Sequence, residues 1–385
     1  MVADTKGTSQ VRFVKFFRQL DYRMIAIIFL LMCLSLTVIS SSTIQQEGSP
    51  GFFSSAVISQ LRSYMVGWVL YFFFAWIDYR NFRKLAPLLY ILILVLLFAL
   101  FFTSPIQNVH RWFRFGFLPF ALQPSEFAKV VLILILSWYF EDKYYAAKRF
   151  SVGLGALGIV FIPFLLVLKQ PDLGTALILL PICYTVFIFA EGHRGIIRWM
   201  TVGGCAAILF VVSIFLGFIP FEKIKDPLSH VLKEYQIERL NPHTYHQKAG
   251  QTAIALGGVS GSGFGKSQFT GQEWLPFAHT DSIFPAFTEE FGCIGAGFLF
   301  ALFFSLIYLS LKIADEAQDR FGKFYAGCTA TYIAVHVIVN ISMMAGSLPI
   351  TGVPLILMTY GGSSVVATMS LLGLLQSITV RRFRF

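Results

Sequence analysis

The chain has 385 residues, 56% of them hydrophobic and only 13% charged, about half the charged share of a soluble domain. That composition, with 42 phenylalanines, excludes an ordinary soluble fold of this size and fits a protein whose outer surface meets hydrocarbon. The net charge of +10 forms no basic cluster on a soluble module, so nucleic acid is set aside as a partner and the charge is read as membrane topology.

In chain order, apolar runs long enough to span a bilayer are predicted at 24–43, 63–78, 85–103, 124–140, 152–168, 174–190, 199–219, 283–311, 323–345 and 356–378. The first run lacks a small-residue cleavage site and is read as a span, not a removed leader. Ten spans place both termini on one side, and the basic residues say which. Lys6, Arg12, Lys15, Arg18 and Arg23 precede the first span. Arg80, Arg83 and Lys84, then Lys143, Lys148 and Arg149, Arg194 and Arg198, and Lys312, Arg320 and Lys323 fill the even loops. Arg381, Arg382 and Arg384 close the chain, so these segments are expected to be cytoplasmic. The expected fold is an all-α polytopic membrane protein, one domain over 1–385. It has a cytoplasmic segment at 1–23 and a large extracytoplasmic loop at 220–282, between the seventh and eighth spans.

Two outer segments stand apart. Residues 104–123 carry His110, Arg111 and Arg114 against the charge bias, which suits either an anionic partner such as a phosphate or lipid headgroups. In 220–282, Leu228, Val231, Leu232, Tyr235 and Leu240 recur at helical spacing, predicting an amphipathic helix on the membrane surface. The run Ser260–Ser267 approaches a phosphate-binding loop but has Ser260 where glycine is required and no preceding strand, so nucleotide binding is rejected. Its backbone N–H groups and Lys266 could still meet a diphosphate, or the run is a plain flexible loop. The five cysteines, Cys33, Cys183, Cys205, Cys293 and Cys328, lie in or beside apolar runs with no Cys-x-x-Cys pair, and are expected to be small buried apolar residues.

Charges inside apolar spans cost roughly 2.5–3.5 kcal/mol each on insertion scales and mark function. Glu126 and Lys129, three residues apart, share a helix face. They either lock two helices or line a cavity. Asp172, after Gln170-Pro171, reads first as a helix cap. Asp281, in His279-Thr280-Asp281-Ser282, ends the outer loop. It could cap the eighth span or act as a general base at a cavity rim. Glu289 follows about 80° round the helix and about 12 Å deeper. Tyr360-Gly361-Gly362-Ser363-Ser364 reads as a close helix-packing stretch.

Taken together, these segments resemble the SEDS family (shape, elongation, division and sporulation) of membrane peptidoglycan polymerases, over nearly the whole chain. The resemblance rests on Arg111-Trp112, Gln123-Pro124-Ser125-Glu126-Phe127-Ala128-Lys129 and Gln170-Pro171-Asp172-Leu173-Gly174-Thr175-Ala176-Leu177. It rests also on Tyr235-Gln236-Ile237-Glu238-Arg239-Leu240-Asn241-Pro242, Gly271-Gln272, His279-Thr280-Asp281, Leu348-Pro349-Ile350-Thr351-Gly352-Val353-Pro354 and Tyr360–Ser364. Ile77-Asp78-Tyr79-Arg80 is closer to the elongation branch (RodA) than to the division branch (FtsW). The chain departs from the family at Phe277, where a glutamate is usual, and at Ser282, where a phenylalanine is usual; Ile356 and Thr359 differ as well.

The resemblance implies ten spans, cytoplasmic termini in a bacterial inner membrane, and polymerisation of lipid II at the outer face. It makes Asp281 the essential acid, with Glu126, Lys129 and Asp172 as site residues. Arg111, Arg114 and Lys266 are candidates for the diphosphate, and His279, Thr280 and Glu289 for supporting roles. A divalent cation, Mg²⁺ or Mn²⁺, near Asp281 could assist, and no organic cofactor is implied. A Phe-rich groove between spans would suit the polyprenyl chain. A class B penicillin-binding protein transpeptidase and other membrane proteins of the elongation or division machinery are the implied partners. The rival readings are a lipid II flippase, which should carry polar residues through the middle of several spans, and a non-catalytic scaffold.

Overall fold

The computed structural model describes residues 16–47, 51–103, 110–114, 120–229, 237 and 239–382. Lys6, Arg12, Lys15, Val231, Leu232, Tyr235, Gln236, Glu238 and Arg384, used above, lie outside them, and with them most of the expected amphipathic helix. Among the described residues the architecture is all-α, with a single isolated bridge joining Phe113 and Leu122.

All ten apolar runs overlap helices. These are α1 (Tyr22–Glu47), α2 (Ser55–Trp76), α3 (Tyr79–Ala99), α4 (Pro124–Asp142), α5 (Phe150–Lys169), α6 (Leu173–Phe189) and α7 (Arg194–Phe215). Short helices of the long loop follow, among them α8 (Phe221–Ser229) and α9 (Tyr245–Gly257), with a single turn at Gln268–Gly271. Then come α10 (Ile283–Glu316), α11 (Arg320–Met344) and α12 (Gly362–Arg381). Seven of these, α1, α3, α5, α7, α10, α11 and α12, are long and apolar enough to cross a membrane, and α6 is a shorter apolar helix. The chain is a multi-pass membrane protein. α2 and α4 carry buried polar residues, Gln60 and Ser63 in one and Glu126 and Lys129 in the other.

Burial orders the bundle. In α12, 89% of the apolar stretch is buried, so this helix is the axis; in α7 only 6% is, so its apolar surface is left for lipid. One end of the bundle gathers the charged loops. Arg83 pairs with Glu141 at 3.1 Å, Arg381 with Asp78 at 3.4 Å, and Lys148 with Glu191 at 3.4 Å, while Tyr79 donates to Asp319 at 2.9 Å. The even loops therefore meet at a common end, as their shared charge anticipates.

Three local features depart from a reading by hydropathy. α2 begins eight residues before the predicted run, capped by the Ser54 hydroxyl on Val57 N–H. Its polar first half is legible only once Gln60 is seen to bond Thr359 O and Gly361 N–H. The last helix starts at Gly362, not 356. Residues 353–359, though mostly apolar, are non-helical and, apart from the half-buried Pro354, buried. Their carbonyls are met by side chains instead: Ser35 on Met358 O at 2.6 Å, Tyr64 on Leu357 O at 2.6 Å, and Asn340 on Val353 O at 2.8 Å. Non-helical backbone at this depth survives only with such partners. Finally, two cysteines are exposed, Cys205 and Cys293, against the expectation of burial; Cys183 and Cys328 are buried.

α10 is broken at Gly292, where φ is +63°. The break frees backbone groups that the Gly-rich loop satisfies. Ser262 and Gly263 donate to Glu289 O and Glu290 O at 2.9 Å each, and Cys293 and Ile294 donate to Gly258 O and Val259 O. A Cβ on Gly261 would stand 2.1 Å from Glu290 O, and one on Gly292 2.4 Å from the nitrogen of Gly261. Only glycine permits this approach. The loop packs onto α10, and the Ser262 and Gly263 N–H groups are already bonded there, so they are not available to a diphosphate.

Candidate active site

At the end of the bundle opposite the charged loops, a cavity of about 1030 Å³ opens among α2, α4, α6, α12 and the turn before α10. Its lining includes Arg111, Arg114, Glu126, Asp172, Thr280 and Asp281 from the predicted set, and Arg239 from outside it.

Asp281 lies between the long loop and α10, and it does not cap that helix. The cap position is Ser282, with no side-chain cap bond. Among the described residues no hydrogen bond or ion pair reaches the Asp281 carboxylate. Burial pushes its carboxyl above the ordinary 3.8; Arg239 and Arg111 oppose that rise and Asp172 adds to it. Gly352, at φ +72°, closes against it: a Cβ there would lie 3.6 Å from Asp281 Oδ2. Ser282, fully buried, explains its own departure from the family pattern. Its hydroxyl donates to Pro276 O at 2.7 Å and accepts from His246 Nε2 at 2.7 Å, so it ties down the turn. Phe277, the other departure, is 64% exposed and lines the cavity with apolar surface where a carboxylate is usual.

Asp172 does two jobs. One carboxylate oxygen caps α6 on Thr175 N–H at 3.4 Å, and the other accepts from Gln123 and Ser125 at 3.2 and 3.1 Å. Arg111 Nε donates to Gln170 O at 3.0 Å, and its Nη2 to Pro171 O, which fixes the guanidinium beside Asp172. Arg114 is more exposed, at the cavity mouth.

Glu126 and Lys129 are buried and paired at 2.8 Å. Only Glu126 lines the cavity, and its Oε2 has no hydrogen-bond partner among the described residues. Lys129 turns away toward α11, reaching His336 Nε2 at 3.1 Å and the face of Tyr332 at 5.5 Å. The pair thus both locks helices and borders the cavity.

Besides Lys129, three predicted residues fall outside the cavity lining. Lys266 is an exposed residue of the Gly-rich loop. Glu289 is spent on that loop's neighbour: its carboxylate accepts from Phe269 N, Thr270 N and Thr270 Oγ1 at 2.8, 3.0 and 2.6 Å. His279 contributes its backbone oxygen to Tyr360 N–H at 2.9 Å, with its ring edge-on to Tyr360.

The stretch 360–364, read from sequence as packing, lines the cavity. Ser363 accepts from Gln123 N–H at 2.9 Å and donates to Ala121 O at 2.6 Å, holding the 120–123 segment. Arg239, named in the sequence only as part of a family motif, is the chief omission from the predicted site residues. It was discernible as one more cation in a loop that the sequence reading expected to be external, against the charge bias. Among the described residues no three His, Cys, Asp or Glu side chains gather as a metal site. With Asp172 committed to hydrogen bonds, Asp281 suits only a cation that arrives on a ligand and needs one or two carboxylates.

A helical membrane protein with a polar cavity at one end, acids inside it and arginines around it, is a candidate for surface chemistry on an anionic amphiphile. Comparison with known proteins narrows the class. The chain belongs to the FtsW/RodA/SpoVE family of cell cycle proteins, whose model matches residues 21–383. It is 33% identical over 374 residues to the peptidoglycan glycosyltransferase MrdB of Escherichia coli, covering 94% of each chain. Among solved structures it resembles a chain of a peptidoglycan synthase complex that coordinates polymerization and crosslinking. The TM-score is 0.73 at 26% identity, covering 95% of this chain and 99% of that one. It also resembles the rod shape determining protein RodA of Thermus thermophilus, with a TM-score of 0.69 at 25% identity, covering 95% and 98%.

Proposed function

We propose that the chain is a peptidoglycan glycosyltransferase of cell elongation and shape, acting in the bacterial inner membrane with both termini cytoplasmic and the Asp281 cavity at the outer face. Its substrate is lipid II. The observation that carries the reading is Asp281 itself: a carboxylate bordering a polar cavity, without a hydrogen-bond partner among the described residues, under the influence of two arginines.

In this mechanism Asp281 takes the proton from the 4-hydroxyl of the acceptor N-acetylglucosamine. The oxygen forms a bond to the anomeric carbon of the donor, the bond from that carbon to the diphosphate breaks, and its electron pair leaves with undecaprenyl diphosphate. The proton passes from Asp281 to water. Burial makes Asp281 a stronger base than an exposed aspartate (pKa about 3.9). Arg111, Arg114 and Arg239 supply positive charge for the leaving diphosphate. A Mg²⁺ or Mn²⁺ carried on that diphosphate would be held by Asp281 and would neutralise the same charge. The likeness to a synthase complex supports a class B penicillin-binding protein as the partner.

The test is purified protein with labelled lipid II, with and without the transpeptidase. Wild type should make glycan strands and Asp281→Asn none. Polymer from Asp281→Asn would end the role of that residue. Translocation of lipid II across vesicles without polymer would favour a flippase.

A further inference from the structure

A carboxylate that makes no hydrogen bond must be aimed through its backbone. For Asp281 that support comes from α11. Asn340, fully buried, donates through Nδ2 to Asp281 O at 3.2 Å and to Val353 O at 2.8 Å. Two carbonyls face the amide, and carbonyls only accept, so the NH₂ end must point at them. One helical turn earlier on the same face is His336, also fully buried. Its Nδ1 lies 3.0 Å from Pro354 O, so Nδ1 carries the proton. Its Nε2 is then the acceptor for the Lys129 ammonium at 3.1 Å, and Lys129 in turn holds Glu126.

Together the two side chains bind three carbonyls on both walls of the cavity. Asp281 belongs to one wall. Val353 and Pro354 belong to the non-helical stretch that forms the other, where Gly352 closes on the Asp281 carboxylate. Nothing in the motifs marks either residue. We infer that Asn340 and His336 are positioning residues for glycosyl transfer: they set the distance between the Asp281 carboxylate and the 351–354 wall, and they connect that wall to the Glu126–Lys129 pair. The inference rests on Asp281 being the base.

The experiment compares steady-state lipid II polymerisation by Asn340→Leu, His336→Leu, His336→Gln and Asp281→Asn. Each is taken as a monodisperse preparation with its Tm measured. Leucine keeps the branched shape of Asn340 at a somewhat larger volume and removes both donors. Asn340→Leu should lower kcat by on the order of tenfold to a hundredfold. KM should stay within about twofold, and the acid limb of the pH profile should move, since the surroundings of Asp281 change. His336→Gln should recover much of what His336→Leu loses, because an amide can donate to Pro354 O and accept from Lys129.

Wild-type kcat and pH profile in Asn340→Leu would overturn the inference. So would a loss of activity that follows Tm alone, or equal loss in both His336 variants. If Asp281→Asn polymerises normally, the base assignment fails and takes this inference with it. If Asp281→Asn is inactive while Asn340→Leu is unaffected, only this inference fails.

Discussion

Two acidic places lie at the head of α10, eight and nine residues apart, and they are built in opposite ways. At Asp281 the carboxylate is left without hydrogen bonds among the described residues and faces a cavity. At Glu289 and Glu290 the carboxylates are drawn into packing. Glu289 accepts three hydrogen bonds from the 269–270 turn, and Glu290 accepts through Oε1 from Ser41 and from Ser267 at 3.4 Å, while its Oε2 is buried without a hydrogen-bond partner among the described residues. Burial alone therefore does not mark a working acid; what separates the two places is that Asp281 borders the cavity while Glu289 and Glu290 do not. The second place anchors the long loop to α1 and α10.

This contrast can be tested from its strong end to its weak one. Asp281→Asn should abolish polymer formation, a loss on the order of a thousandfold, within the range for a general base. In wild type, the rate should fall as acid protonates Asp281. Because burial raises this carboxyl, the midpoint should lie above 3.8, and a pH–rate profile on folded protein checks it. A midpoint at or below 3.8 would contradict the buried setting.

Glu126→Gln should be next. It leaves the Lys129 ammonium buried with His336 but without a counter-charge, at a cost of about 3–5 kcal/mol. Thermal unfolding and turnover should both suffer, and unchanged values would make the ion pair dispensable. Arg239→Ala should lower kcat/KM by roughly tenfold to a hundredfold by removing one charge that meets the diphosphate. An unaltered kcat/KM would remove Arg239 from the site.

The weak end is the second acidic place. Glu289→Gln should lower stability by about 1–3 kcal/mol through weakened bonds to the 269–270 turn. Turnover per folded molecule should stay within about threefold of wild type. Lys266→Ala, on an exposed loop residue, should change polymerisation by less than about twofold. Abolished turnover in either variant with normal folding would erase the distinction between the two places.

By itself the sequence determined the membrane-spanning class, because apolar runs of span length leave no other stable fold, and it placed most helices within a few residues. It also singled out Asp281, Asp172 and the Glu126–Lys129 pair, because charge in apolar sequence is costly enough to stand out. The tertiary structure alone decided which acids stay available. Capping, loop anchoring and cavity lining look the same in a local window; they differ only in partners such as Gln123 for Asp172 or Thr270 for Glu289. It also decided that residues 353–359 are not helical, because their carbonyls find side chains from 13 to 323 positions away. Arg239, Ser363, His336 and Asn340 emerged for the same reason: hydropathy is a local sum, whereas a site is assembled from contacts between segments remote in the chain.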